Sequence, residues 1–194
     1  MQIKTLTIII KMRSTLIFVF GVLLISCRTS NSKPDEVEFN VNNSLLAEMP
    51  FKSKAGFSIK APKNWQLTNE YNFEFKNQLL NLDQAELLAV YKSDSSNCAL
   101  IISESNVDFN SLKSEVIRSA FASKKDSVWL SVQPSFFTYK RFDIVQFVYQ
   151  NSDLLVFRLF VQGLKELHEL YYIIPRSDIN KTVQSVESSI GSIS

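Results

Sequence analysis

From residue 127 to Pro175 the chain runs strand-like with few interruptions, and this stretch limits the fold more than any other. Phe142 to Tyr149 and Leu154 to Val161 flank Asn151-Ser152-Asp153, a turn cluster that predicts a hairpin. In the second strand Leu155, Phe157, Leu159 and Val161 alternate onto one face, and Val156, Arg158 and Phe160 onto the other. A sheet with one wholly apolar face and one mixed face needs cover on both, which predicts helices packed on it. Leu170 to Ile174, ending at Pro175, reads as one more strand.

The helical segments follow from a change of period. Leu112, Val116, Ala120 and Phe121 share a face within 110–123, with Asp108 or Asn110 as the cap. At the end, Ile179, Val183, Val186, Ile190 and Ile193 recur at steps of four, three, four and three, behind Asp178 or Ser177. This stripe reads as core-facing. Earlier strand candidates are Val37 to Val41 at an edge, Phe57 to Ala61 closed by Pro62, Phe73 with Phe75, Leu87 to Tyr91 and Ala99 to Ser103. Ser93 to Asn97 is a turn. Strands, helix, strands, helix is the order of an α+β domain with a central, mostly antiparallel sheet flanked by helices.

The first 26 residues have a different character. Lys4, Lys11 and Arg13 are basic, no acid is present, and Leu16 to Ile25 is apolar apart from Gly21. Such a run suits a secretory signal and is too short for a spanning helix of ~20 residues. Met12 makes the more compact start. Leu24-Ile25-Ser26-Cys27 resembles the lipobox of bacterial lipoproteins, in which the cysteine is acylated and becomes the first residue after cleavage. The expected organisation is a signal over 1–26, a lipidated Cys27 with a tether and a possible edge strand over 27–49, and a domain over 50–194. The domain start falls between about 36 and 50 on this reading. Residues 28–35 are polar and supply the tether.

Removing 26 of 194 residues leaves 168, enough for one domain with a sizeable core. It also takes three of the 21 basic residues, leaving 18 against 19 acids. A near-neutral domain is a poor candidate for nucleic acid. Lys124-Lys125 and Lys140-Arg141 read as solvated surface. With Cys27 acylated, Cys98 is the only remaining thiol, which leaves no internal disulfide and no zinc cluster. Cys98 opens an apolar strand and reads as a core residue.

Chemistry-bearing patterns are sparse. His168 is the only histidine, no nucleophile elbow or glycine-rich phosphate loop is present, and the chain holds four glycines. His168 reads as a surface or strand-end residue among Glu166 and Glu169, and those acids, with Asp35-Glu36, as solvated. Asp94 to Asn97 is a turn rather than a calcium loop. No catalytic residue, metal ligand or cofactor is expected, and Cys27 is the one candidate site.

Gly56-Phe57-Ser58-Ile59-Lys60-Ala61-Pro62-Lys63-Asn64-Trp65 resembles the opening of PsbP-like domains, where an aromatic strand enters a Pro-x-x-Trp turn and the Trp enters the core. The late hairpin, Tyr171-Tyr172-Ile173-Ile174-Pro175 and the terminal helix fit as well, with Ser189-Ile190 where the family often has Ser-Phe. The match spans about 50–192. It implies an α/β/α sandwich and binding to other proteins rather than a shared chemistry, and it assigns no functional residue. The function expected is a lipid-anchored, non-enzymatic binding or accessory protein of the bacterial envelope. Its partners are the membrane, through acyl groups on Cys27, and another envelope protein. Arg28 after the cysteine favours the outer membrane. A small-molecule or lipid-binding module ranks second and a hydrolase with dispersed acids last.

Overall fold

The computed structural model describes residues 35–69, 85–119 and 130–194. Its strands in chain order are β1 (Asp35–Glu36), β2 (Phe51–Lys52), β3 (Ser58–Ile59), β4 (Trp65–Leu67), β5 (Ala85–Ser93) and β6 (Ala99–Ser105). Helix α1 (Phe109–Ser119) crosses to β7 (Leu130–Tyr139), β8 (Phe142–Gln150), β9 (Leu154–Gln162) and β10 (Leu167–Pro175), and α2 (Ile179–Gly191) follows. Eight strands form one sheet in the order β1-β7-β8-β9-β10-β6-β5-β4. The chain builds one edge with the β5–β6 hairpin and then starts again at the far side. It meanders back until β10 docks antiparallel on β6, with Leu170 opposite Ile102. Every pairing is antiparallel except β1 on β7. This is the α+β architecture expected.

Local chemistry explains the irregularities. Pro134 lies inside β7, where it cannot donate to the ladder, and the register shifts between Val132 and Ser135 around it. The hairpin at Asn151 forms as its spacing predicts: Asn151 Oδ1 accepts from the amides of Asp153 and Leu154. Asp108 caps α1 by accepting from the amides of Asn110 and Ser111. Asp178 precedes α2 but makes no side-chain cap bond, so that helix is held by its apolar stripe.

The two faces are clad differently. On one, Leu155, Phe157, Leu159 and Val161 join Leu170, Tyr172 and Ile174 under Val186 and Ile190 of α2 and Ile193 just after it. Burying each such aliphatic side chain contributes about 1.5–3 kcal/mol. On the other, Phe109 and Leu112 of α1 pack with Val145, Phe147, Phe160 and Leu167, beside a cluster of Val90, Ile101, Val156, Tyr171 and Ile173. Trp65 is buried after the Pro62–Trp65 turn, in which Asn64 takes a left-handed φ of 66°.

Three expectations differ in detail. The edge strand expected over Val37 to Val41 is instead β1, two residues earlier and parallel to β7, because Val37 makes the last ladder bond to Thr138 and the chain then turns over the core. There Phe39 and Val41 lie against α2 so closely that a Cβ on Gly191 would come within 2.7 Å of both. Leu46 is buried, Val37 and Phe39 pack against the core, and Asn42 N donates to Ser188 Oγ, so residues 37–46 pack on the same core as the segment after 50. Phe57 to Ala61 forms only the two-residue β3, paired with β2 in a separate ribbon. That ribbon is stitched to the end of α2 through Ser58 and Ser194, which exchange backbone hydrogen bonds. The Phe73–Phe75 strand, residues 120–123 of the first helix, Lys124-Lys125, the signal over 1–26 and the tether up to residue 34 lie outside the described residues.

Candidate functional site

Cys27, the site singled out in the sequence, lies outside the described residues. The remaining candidates are on β10 and around it. His168 and Glu169 were expected at the surface; each is 1% exposed. They are neighbours on a strand, so they project to opposite faces.

Glu169 points to the α1 face. Its Oε1 accepts from Arg158 Nε at 2.5 Å and from the Tyr171 hydroxyl at 2.6 Å. The Arg158 guanidinium also lies over the rings of Phe160 and Tyr171, at 4.6 and 5.2 Å. Burial is the largest influence on Arg158 and would lower its pKa, but the charge and hydrogen bond of Glu169, together with Tyr171 and Tyr149, outweigh it and the group is raised. Burial pushes the Tyr171 phenol up. The arrangement is a satisfied buried ion pair with a phenol locked as donor. Nothing in it is free to react.

His168 points to the α2 face. Phe57 of the ribbon stacks on it at 4.2 Å with a 17° tilt. Glu166 Oε2 lies 3.4 Å from Nε2 without hydrogen-bond geometry, and neither ring nitrogen has a hydrogen-bond partner. Burial lowers its pKa, opposed in part by the charge of Glu104, its register partner on β6. No serine or cysteine nucleophile is hydrogen-bonded to it. Cys98 is buried as expected, its sulfur 3.8 Å from Thr182 Oγ1, and burial raises its pKa. A thiol raised this way is a poor nucleophile. Among the described residues no group of three or more His, Cys, Asp or Glu could hold a metal ion.

The concave surface lies elsewhere. The β2–β3 ribbon, the β7–β8 turn and Ser194 enclose an open cleft of about 520 Å³. Lys52, Lys140 and Arg141 supply its charge, and Phe57 and Phe142 its apolar floor. Lys140 and Arg141 are the doublet read from the sequence as solvated. Both are exposed, yet each is fixed: Lys140 Nζ donates to the α2-end carbonyls of Ile193 and Gly191 at 2.7 and 3.4 Å. Arg141 Nη2 donates to Gly56 O at 3.2 Å and lies over the Phe142 ring. A second hollow of about 390 Å³ carries Lys63, Lys181, Asp178 and several serines, so its charges partly cancel. The sequence missed the first cleft because Lys52 and Lys140 are 88 positions apart; no local pattern joins them.

The sheet, its two helical covers and the buried Trp65 allow a comparison with known folds. The solution structure of cyanobacterial PsbP (CyanoP) from Synechocystis sp. PCC 6803 superposes over 88% of this chain and 98% of that one, with a TM-score of 0.51 and 11% sequence identity. The fold is PsbP-like. No protein-family model matches the sequence, and no curated protein matches it. The PsbP likeness is one of architecture, and it transfers no residue role.

Proposed function

We propose that the chain is a lipid-anchored accessory or binding protein of the bacterial envelope, with Cys27 as the acylated residue and 1–26 as its signal. The observation that carries this reading is Leu24-Ile25-Ser26-Cys27 behind a basic and then apolar run. Acylation at one cysteine attaches two or three chains, each buried methylene contributing about 0.8 kcal/mol, which makes the anchor stable where a single chain would be marginal. The PsbP-like scaffold supports a binding role, and its buried Arg158, Glu169, Tyr172 and Ser189 are hydrogen-bonded within the fold. The partner is another envelope protein, and Arg28 after the cysteine favours the outer membrane.

Metabolic labelling with palmitate tests the anchor. The wild-type chain takes up label and fractionates with membrane at high salt, whereas Cys27→Ser takes up none and is released or stalls before cleavage. A Cys27→Ser protein that is still processed and still membrane-bound sinks the anchor. In-cell crosslinking followed by mass spectrometry tests the accessory role. A reproducible envelope protein supports it, and a copurifying small molecule without any protein partner favours the ligand-binding alternative.

A further inference from the structure

We propose that the cleft between the β2–β3 ribbon and the β7–β8 turn binds a phosphate-bearing group. Three cations line it and no carboxylate side chain does. Lys52 makes no ion pair or hydrogen bond among the described residues, and the bonds of Lys140 and Arg141 go to neutral carbonyls. Their charges are therefore positioned but not neutralised. A carboxylate on Ser194 would cancel one and leave two.

The remaining hydrogen-bonding capacity is of the matching kind. Lys52 keeps all three ammonium protons, Lys140 keeps one beyond its two carbonyl bonds, and Arg141 keeps the N–H groups other than the one on Gly56. Ser53 Oγ accepts from Phe57 N, which leaves its own proton to donate. A lining rich in donors and poor in acids suits an oxyanion, and three cations exceed what one carboxylate can use. A guanidinium beside two ammoniums is the usual company of phosphate oxygens. The Arg141 guanidinium lies over the Phe142 ring at 5.1 Å, and the buried Phe57 lines the same cleft. Gly56 takes a φ of +89° that favours glycine, and this turn presents the carbonyl that orients Arg141.

The phosphate could belong to a lipid headgroup or be free, and the cleft stands whether or not Cys27 is acylated. Calorimetry on the full chain at constant ionic strength in chloride separates the two, with inorganic phosphate and short-chain phosphatidylglycerol below its micelle concentration as probes. Saturable binding of at least one probe is expected. Lys52→Glu and Arg141→Gln should each weaken it about tenfold, the size of one charge-assisted hydrogen bond. Equal affinity for the two probes assigns free phosphate. Much tighter lipid binding assigns the headgroup, with the glycerol over Phe57 and Phe142. Lys52→Gln, on an exposed side chain without an ion pair or hydrogen bond among the described residues, repeats the test if Arg141→Gln loosens the Gly56 turn. Absence of saturable binding for both probes, or binding unchanged in Lys52→Glu and Lys52→Gln, overturns the proposal.

Discussion

On the α2 face, β10 contributes Leu170, Tyr172 and Ile174, and the one polar atom among them, the Tyr172 hydroxyl, reaches Ser189 Oγ at 2.7 Å. On the α1 face the same strand contributes Leu167, Glu169, Tyr171 and Ile173, with a full charge at the centre. The two faces are built from alternate residues of one segment, so chain position does not distinguish them. What differs is how each treats polarity. The α2 face excludes it and relays the little it has outward: Ser189 gives its own proton to Lys60 O, so Tyr172 must be the donor to Ser189. The α1 face encloses an ion pair and satisfies it in place. An apolar face loses stability in proportion to the atoms removed, whereas an enclosed pair makes one substitution costly and the complete replacement cheap.

The largest effect expected follows from that asymmetry. Arg158→Met strands the Glu169 carboxylate and should destabilise the full chain by about 3–5 kcal/mol in chemical denaturation. Arg158→Met with Glu169→Leu and Tyr171→Phe should recover most of the loss, because no unpaired polar group remains. A triple variant as unstable as the single one would mean that the pair itself, and not its stranded partner, sustains the α1 face.

Adjacent tyrosines give a finer test of the same contrast. Tyr171→Phe removes a donor to a buried charge and should cost about 1.5–3 kcal/mol. Tyr172→Phe removes a neutral bond and leaves Ser189 still donating to Lys60, so about 0.5–1.5 kcal/mol is expected. Equal losses in the two variants would erase the distinction between the faces.

These same residues mark the limit of what the sequence discloses. Period-2 alternation in Leu154–Gln162 assigned the residues to the two faces, and the stripe from Ile179 to Ile193 placed α2, because both signals repeat within a few residues. The polar run Lys165-Glu166 before His168-Glu169 looks like a loop end by the same logic. The burial of Glu169 and His168 depends on Arg158 across a hairpin and on Phe57 more than a hundred positions earlier. The cleft is hidden for the same reason, since its cations meet only when the ribbon docks beside the β7–β8 turn. Local order is legible in a sequence; polar partnership across the sheet is not.

His168 is the exception that sharpens the comparison. Its neighbour Glu169 is fully partnered, while both of its own ring nitrogens are unpaired on the apolar face. Burial holds its pKa below the ordinary 6.5, with Glu104 opposing. The unfolded chain thus takes up the proton first as pH falls. Stability from this group is complete above 6.5, declines below it, and levels off once the folded pKa is passed. His168→Leu removes the unpaired nitrogens and keeps an apolar contact for Phe57. It should change stability at pH 8 by less than about 1 kcal/mol and flatten the decline below 6.5, read from denaturation midpoints across pH. Persistence of the full decline in His168→Leu would show that the imidazole is not its source.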